Sequence, residues 1–253
     1  MARCSVRWAL ALLLCAGLLA SASQRAEEPS SSSAAATKPK NGTHMNIHLR
    51  VDERTEDLVM NISNALLSLA PHDQIYFTVV RPHVSLYLTE FQTDKIPHAI
   101  KAVQKLLFID HKQDFCNLLV TLSGTTVAGS YGMWDADLTS TLQLLSDAVV
   151  NATYQWIVPN QPVPDWVKNL PEPARSKKIA LVKKYGSPNV FSGFEPHLTL
   201  AWDNVEDLTS PFEQISALHK DHVITPPSIG FGEVGNYGTV LRAGGWGTLP
   251  FPC

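Results

Sequence analysis

Pro82-His83-Val84-Ser85-Leu86 and Pro196-His197-Leu198-Thr199-Leu200 spell one pattern twice: proline, histidine, an apolar residue, a hydroxyl, leucine. Each copy opens a run that alternates like a β-strand, residues 83–89 and 197–202. Successive side chains of a strand point to opposite faces. His83 and Ser85 therefore share one face, with Val84 and Leu86 turned to a core. His197 and Thr199 share one face, backed by Leu198 and Leu200. A single His-x-Ser/Thr-Leu is common by chance. Two copies, each behind a proline and each on a strand, predict two similar lobes that bring a pair of imidazoles into one groove.

The flanking sequence supports that plan. Residues 45–51 alternate as a strand. Leu58, Ile62, Leu66 and Leu69 recur at helical spacing, so 55–69 read as a helix. A strand is expected at 75–80, a helix at 96–107, and strands at 117–122 and 130–135 with 124–129 as turn. A helix capped by Asp137 or Thr139 follows over 139–150. Residues 156–173 are Pro-rich and irregular, a lid or a connector. Residues 177–182 read as a strand and 210–219 as a helix. Residues 229–234 and 239–242 form a hairpin around Gly235-Asn236-Tyr237-Gly238. Two successive sets of strands and helices predict an α+β class: a bilobal, pseudo-symmetric fold, two antiparallel sheets facing a central groove, helices outside.

Composition narrows the function. Over 253 residues the chain is 45% hydrophobic and 17% charged, which excludes a largely disordered or collagen-like protein. A formal charge of −3 supplies no global basic field for gripping a duplex. A small nucleotide or a short single-stranded RNA remains open as substrate. Six Trp and 17 Pro point to elaborate loops.

The N-terminus reads as a targeting segment. Arg3 and Arg7 precede an apolar run of 13 residues, 8–20, shorter than the roughly 20 that span a bilayer. Ala20-Ser21-Ala22 has the small-x-small form of a cleavage site. The expected organisation is a signal peptide over 1–22, a disordered linker over 23–44 and a folded domain over 45–253. The mature chain is expected to be secreted or lumenal, off the membrane and monomeric. Asn41, Asn61 and Asn151 head N-glycosylation sequons. Cys4 and Cys15 leave with the signal peptide. Cys116 and Cys253 remain, either bridged in an oxidising lumen or as a buried thiol and a free one.

The repeat suits phosphodiester chemistry. Imidazole titrates near neutral pH, so one histidine can act as general base while the other is a protonated acid. Ser85 and Thr199 can donate hydrogen bonds to phosphate oxygens. This chemistry requires no metal and no cofactor. The nearest thing to a metal set, His219 and His222, lacks Cys or an acidic partner. By alternation Tyr87 lies on the His83 face and could stack on a base. Trp202 falls on the face opposite Thr199 and reads as core. Tyr131, Trp134 and Phe194 are further candidate base platforms. Arg175, Lys177, Lys178, Lys183 and Lys184 form a basic run, either a solvated face or a patch that steers phosphate into the groove.

The paired motifs, HVSL at His83 and HLTL at His197, resemble those of the 2H phosphoesterases, which include 2′-5′ RNA ligase-like proteins and cyclic phosphodiesterases. The resemblance covers 45–253. It implies a bilobal fold and metal-independent action on 2′,3′-cyclic nucleotides or on short RNA and 2′,5′-linked oligonucleotides. It casts His83 and His197 as the acid/base pair and Ser85 and Thr199 as phosphate-binding hydroxyls. Two other classes are compatible with the sequence: a secreted non-catalytic nucleotide-binding module on the same fold, and an interaction glycoprotein.

Overall fold

A computed structural model describes residues 41–253. The expected signal peptide and most of the linker lie outside the described residues. The first strand, β1 (Gly42–Arg50), begins ahead of Met45. Helix α1 (Glu53–Leu69) starts at Asp52, whose carboxylate accepts the Thr55 N–H at 2.9 Å, and buries Val59, Ile62 and Leu66. Strands β2 (Val80–Arg81) and β3 (His83–Gln92) follow, then α2 (Ile96–Lys105), which runs into a π-helical turn. Strands β4 (Val120–Ala128) and β5 (Tyr131–Ala136) form a hairpin, and α3 (Ser140–Thr153) is capped by Thr139. After short α4 (Asp165–Lys168) come α5 (Ala174–Tyr185), β6 (His197–Trp202) and α6 (Thr209–Gln214). Strands β7 (His222–Ile224), β8 (Ser228–Val234) and β9 (Val240–Pro250) complete the chain.

The strands make two antiparallel sheets, β2-β9-β8-β1-β3 and β6-β5-β4-β7. Strands β2 and β3 adjoin at Pro82 yet occupy opposite edges of their sheet. That sheet must therefore curl until its edges meet. The repeated strands β3 and β6 are edge strands of different sheets and touch one another. Helix α1 packs on β6, and α3 packs on β3. The expected α+β class with paired antiparallel sheets is the observed one.

Each repeat carries a feature that alternation alone does not reveal. In the β1–β3 ladder His48 faces Ser85 and Ile47 faces Tyr87, so Leu86 has no partner. In the β5–β6 ladder Met133 faces Thr199 and Gly132 faces Ala201, so Leu200 has none. The same β-bulge thus sits at the leucine of both motifs. A bulge adds one residue to one strand and inverts the alternation beyond it. Val84 and Leu86 face the core before the bulge, and Tyr87, Thr89 and Phe91 after it. Ser146 of α3, itself buried, donates its hydroxyl to the Leu86 carbonyl at 3.0 Å.

Three expected elements are corrected. Residues 75–80 form a turn, with Val79 and Val80 N–H both bonded to the Tyr76 carbonyl, and only Val80 enters a strand. Residues 177–182 lie in helix α5. Its apolar run is short, and Gly186 at φ 69° ends the helix by bonding to the Val182 carbonyl. The stretch 124–129 is mostly strand. Ala128 pairs with Tyr131, and the turn is Gly129-Ser130, with Gly129 at φ 58°.

Candidate active site

His83 is nearly buried at the start of β3. Its Nδ1 donates to the Arg81 carbonyl at 2.9 Å. A carbonyl can only accept, so Nδ1 carries the proton and Nε2 of the neutral ring is the basic atom. Asn46 on β1 donates one Nδ2 hydrogen to that Nε2 at 3.1 Å and the other to Ser85 Oγ at 2.6 Å. Ser85 thus accepts from Asn46, which leaves its own hydroxyl hydrogen to donate elsewhere. Asn46 is fully buried and its Oδ1 has no partner among the described residues. A third imidazole, His48, packs edge-on to His83 with ring centroids 5.2 Å apart. It fits because β8 is bare beneath it: a Cβ on Gly230 would collide with the ring.

Burial is the main force on these rings. It holds His83 down to about 4, with the Arg81 carbonyl opposing and His197 lowering it further. It holds His48 down to about 3, helped by His83, Arg50 and Arg81. Both are neutral at physiological pH. The contact between edge strands β3 and β6 sets the two imidazoles on adjoining strands.

His197 repeats the tether. Its Nδ1 donates to the Glu195 carbonyl at 2.8 Å, again two residues back across a proline. Its surroundings differ. Arg50 stands opposite His83 in the ladder, whereas Asp135 stands opposite His197. Burial lowers the His197 pKa; Asp135 and Glu195 push it back up, and Lys178 opposes them. Lys178 is no part of a solvated face. It is buried and bonded to Asn189 Oδ1 at 2.8 Å, the Gly193 carbonyl at 3.3 Å and the Glu195 carboxylate at 3.2 Å, so it braces the segment leading into His197. The other basic residues of that run are exposed. Thr199 is partly exposed on the His197 face.

The bulges reverse two expectations. Tyr87 is 1% exposed and its hydroxyl donates to the Tyr185 carbonyl at 2.6 Å, so it is a core residue with no face for a base. Trp202 packs only against the margin of the core. It is partly exposed and stacks on Tyr237, with centroids 3.8 Å apart and planes 13° apart. Tyr237 sits at φ 59° in the β8–β9 turn, and Tyr131 stands opposite Trp202 in the β5–β6 ladder. Trp134 and Phe194, expected as possible platforms, are buried.

Asn46 and His48 escaped the sequence reading, although strand alternation in 45–51 sets both on the face opposite Met45, Ile47 and Leu49. His222 bonds Thr55 Oγ1 at 2.8 Å, and His219 donates to the Glu213 carbonyl. Among the described residues no three His, Cys, Asp or Glu side chains are grouped to hold a metal ion. Cys116 and Cys253 are joined as a disulfide with Cα atoms 5.3 Å apart. Asn41, Asn61 and Asn151 are exposed, the last two on α1 and α3. Two cavities, of about 280 and 540 Å3, include no residue of either histidine motif.

No family model and no curated protein matches this chain. Among solved structures it is similar to E. coli LigT complexed with NADP+, at 11% identity and a TM-score of 0.43, over 84% of this chain and 99% of that one. E. coli LigT complexed with 3′-AMP matches at 10% identity and a TM-score of 0.43, over 84% and 99%. Kluyveromyces marxianus Usb1 matches at 16% identity and a TM-score of 0.40, over 83% and 98%. Likeness at this level transfers no activity to this chain.

Proposed function

We propose that the protein is a metal-independent phosphodiesterase acting on 2′,3′-cyclic nucleotides, short RNA or 2′,5′-linked oligonucleotides. One observation carries this reading. Two strands with the same bulged motif, in contact with each other, each hold an imidazole by Nδ1, which makes Nε2 the reactive nitrogen.

The unlike neighbours of the two rings favour a division of roles. His83, buried and opposite an arginine, is the neutral base. His197, opposite Asp135, is the acid. A water molecule replaces Asn46 at His83 Nε2 and gives up its proton there. Its oxygen forms the new bond to phosphorus as the bond to the ribose 2′ or 3′ oxygen breaks. That oxygen takes the proton from His197 Nε2. The two rings then exchange a proton through solvent to restore the starting state. Ser85 and Thr199 donate to the non-bridging oxygens as charge builds on them. The Trp202–Tyr237 pair offers a stacking surface for a base. The bridged cysteines and the three exposed sequon asparagines support a secretory location.

The test is hydrolysis by chelator-treated protein of the four nucleoside 2′,3′-cyclic phosphates, a 3′,5′-linked RNA and a 2′,5′-linked oligoadenylate. Turnover of at least one substrate, abolished in the double His→Ala variant, is expected. Turnover that requires added metal, or that survives in the double variant, would refute the reading. Binding without turnover would mark a nucleotide-binding module.

A further inference from the structure

Three arginines gather on the sheet face that carries His48. Arg50 shares that face with Asn46 and His48 and stands opposite His83. Arg81 lies opposite Val240 on β9, and its carbonyl is the one that holds His83. A Cβ added at Gly232 would press on both the Val240 and the His48 side chains, which places them on the same sheet face. Arg242, next but one along β9, donates Nε to the Phe77 carbonyl at 2.8 Å and reaches Glu56 at 3.7 Å.

The charges do not balance. Of these three arginines, only Arg242 pairs with Glu56 among the described residues. Among the described residues neither Arg50 nor Arg81 makes an ion pair. Burial, then Arg50 and then Arg242 pull the Arg81 guanidinium below the usual arginine range, with Glu56 opposing. All three side chains are partly buried, so solvent screens their repulsion incompletely. A bound anion would relieve that repulsion. The guanidinium fork matches phosphate oxygens and stays charged at any physiological pH.

We propose that Arg50 and Arg81, backed by Arg242, bind a second phosphate of the substrate, next to the phosphodiester that the histidines act on. The identity of the first phosphate rests on the phosphodiesterase reading; the anion site itself does not. Arg50 and Arg81 both adjoin His83, one across the ladder and one two residues back, so the second phosphate lies on the His83 side of the groove. The preferred substrate then carries at least two phosphates, as a phosphorylated cyclic nucleotide or as an oligonucleotide end. A lone nucleoside 2′,3′-cyclic phosphate fills only half of the site.

The experiment is equilibrium binding to the intact protein of adenosine 3′,5′-bisphosphate against adenosine 3′-monophosphate. The bisphosphate is expected to bind tighter by about tenfold to a hundredfold, the worth of charge-assisted hydrogen bonds. In Arg50→Gln and Arg81→Gln that advantage should shrink to about threefold or less. Arg81→Lys should keep part of it. Binding of the monophosphate by the same variants shows that they are folded. Equal affinity for the two ligands in the unmodified protein, or an advantage that survives both glutamine variants, would overturn the proposal. A dinucleotide with an internal diester and a 3′-phosphate identifies the source. A gain for it as well as for the bisphosphate points to a strand, and a gain for the bisphosphate alone to a mononucleotide; either supports the site. Hydrolysis of the whole substrate panel named above is measured in parallel. Its absence with the bisphosphate advantage intact would remove the phosphodiesterase reading and leave the anion site standing.

Discussion

Strands β3 and β6 carry the same five-residue pattern, the same bulge and the same bond from histidine Nδ1 to a carbonyl two residues back. Their surroundings are opposite in charge. His83 faces Arg50, touches the neutral ring of His48 and is capped by Asn46. His197 faces Asp135 and stands closer to water. The backbone devices position two equivalent imidazoles, and the neighbouring strands make them chemically unlike. A base and an acid at one pH need that difference.

The largest effect should come from removing either ring. His83→Ala and His197→Ala are each expected to lower kcat on a cyclic nucleotide by about 10²–10⁴. A substrate with a good aryl leaving group separates the roles, because such a group departs without a proton. It should largely rescue His197→Ala and leave His83→Ala impaired. Equal rescue of both would erase the proposed difference between the strands.

The bulges should prove equivalent in stability. Leu86 and Leu200 are both buried. Leu86→Ala and Leu200→Ala should each destabilise by about 2–5 kcal/mol, measured by denaturant unfolding. A much smaller cost at one of them would mean that its bulge is not anchored in the core.

The pH profile reads the charge difference. The base must be neutral, so activity should rise with pH as His83 loses its proton near about 4. The acid must be protonated, so activity should fall as His197 deprotonates, below its ordinary 6.5. Asp135→Asn removes a charge that favours the imidazolium. It should move the falling limb to lower pH and leave the rising limb in place. Movement of both limbs together would show that Asp135 does not act on His197 selectively. The mildest change expected is in base recognition. Tyr237→Ala should raise KM by about tenfold, at the lower end of the worth of base stacking, with kcat little changed.

Much of the site was legible because period-two alternation sets His83 with Ser85 and His197 with Thr199, and that part of each strand precedes its bulge. The same rule failed one step later. The sequence contains no mark of an extra residue in the ladder, so Tyr87 read as a platform for a base and Trp202 as core, whereas Tyr87 is core and Trp202 lies at the core's margin. Helix α5 was missed because its apolar run is too short to tell a strand from a helix; Gly186 as a terminator was the available sign. Asn46 and His48 were visible as polar residues on one face of β1. Only the ladder places them beside His83, and only the bare glycines of β8 explain why a histidine fits there.

The most direct test is a double-variant cycle on one cyclic nucleotide: His83→Ala, His197→Ala and both together, with kcat measured in chelator. If the rings work as one acid/base unit, the double variant should lose about as much as the worse single variant. Losses that multiply, or a ring that can be removed without effect, would contradict a shared mechanism.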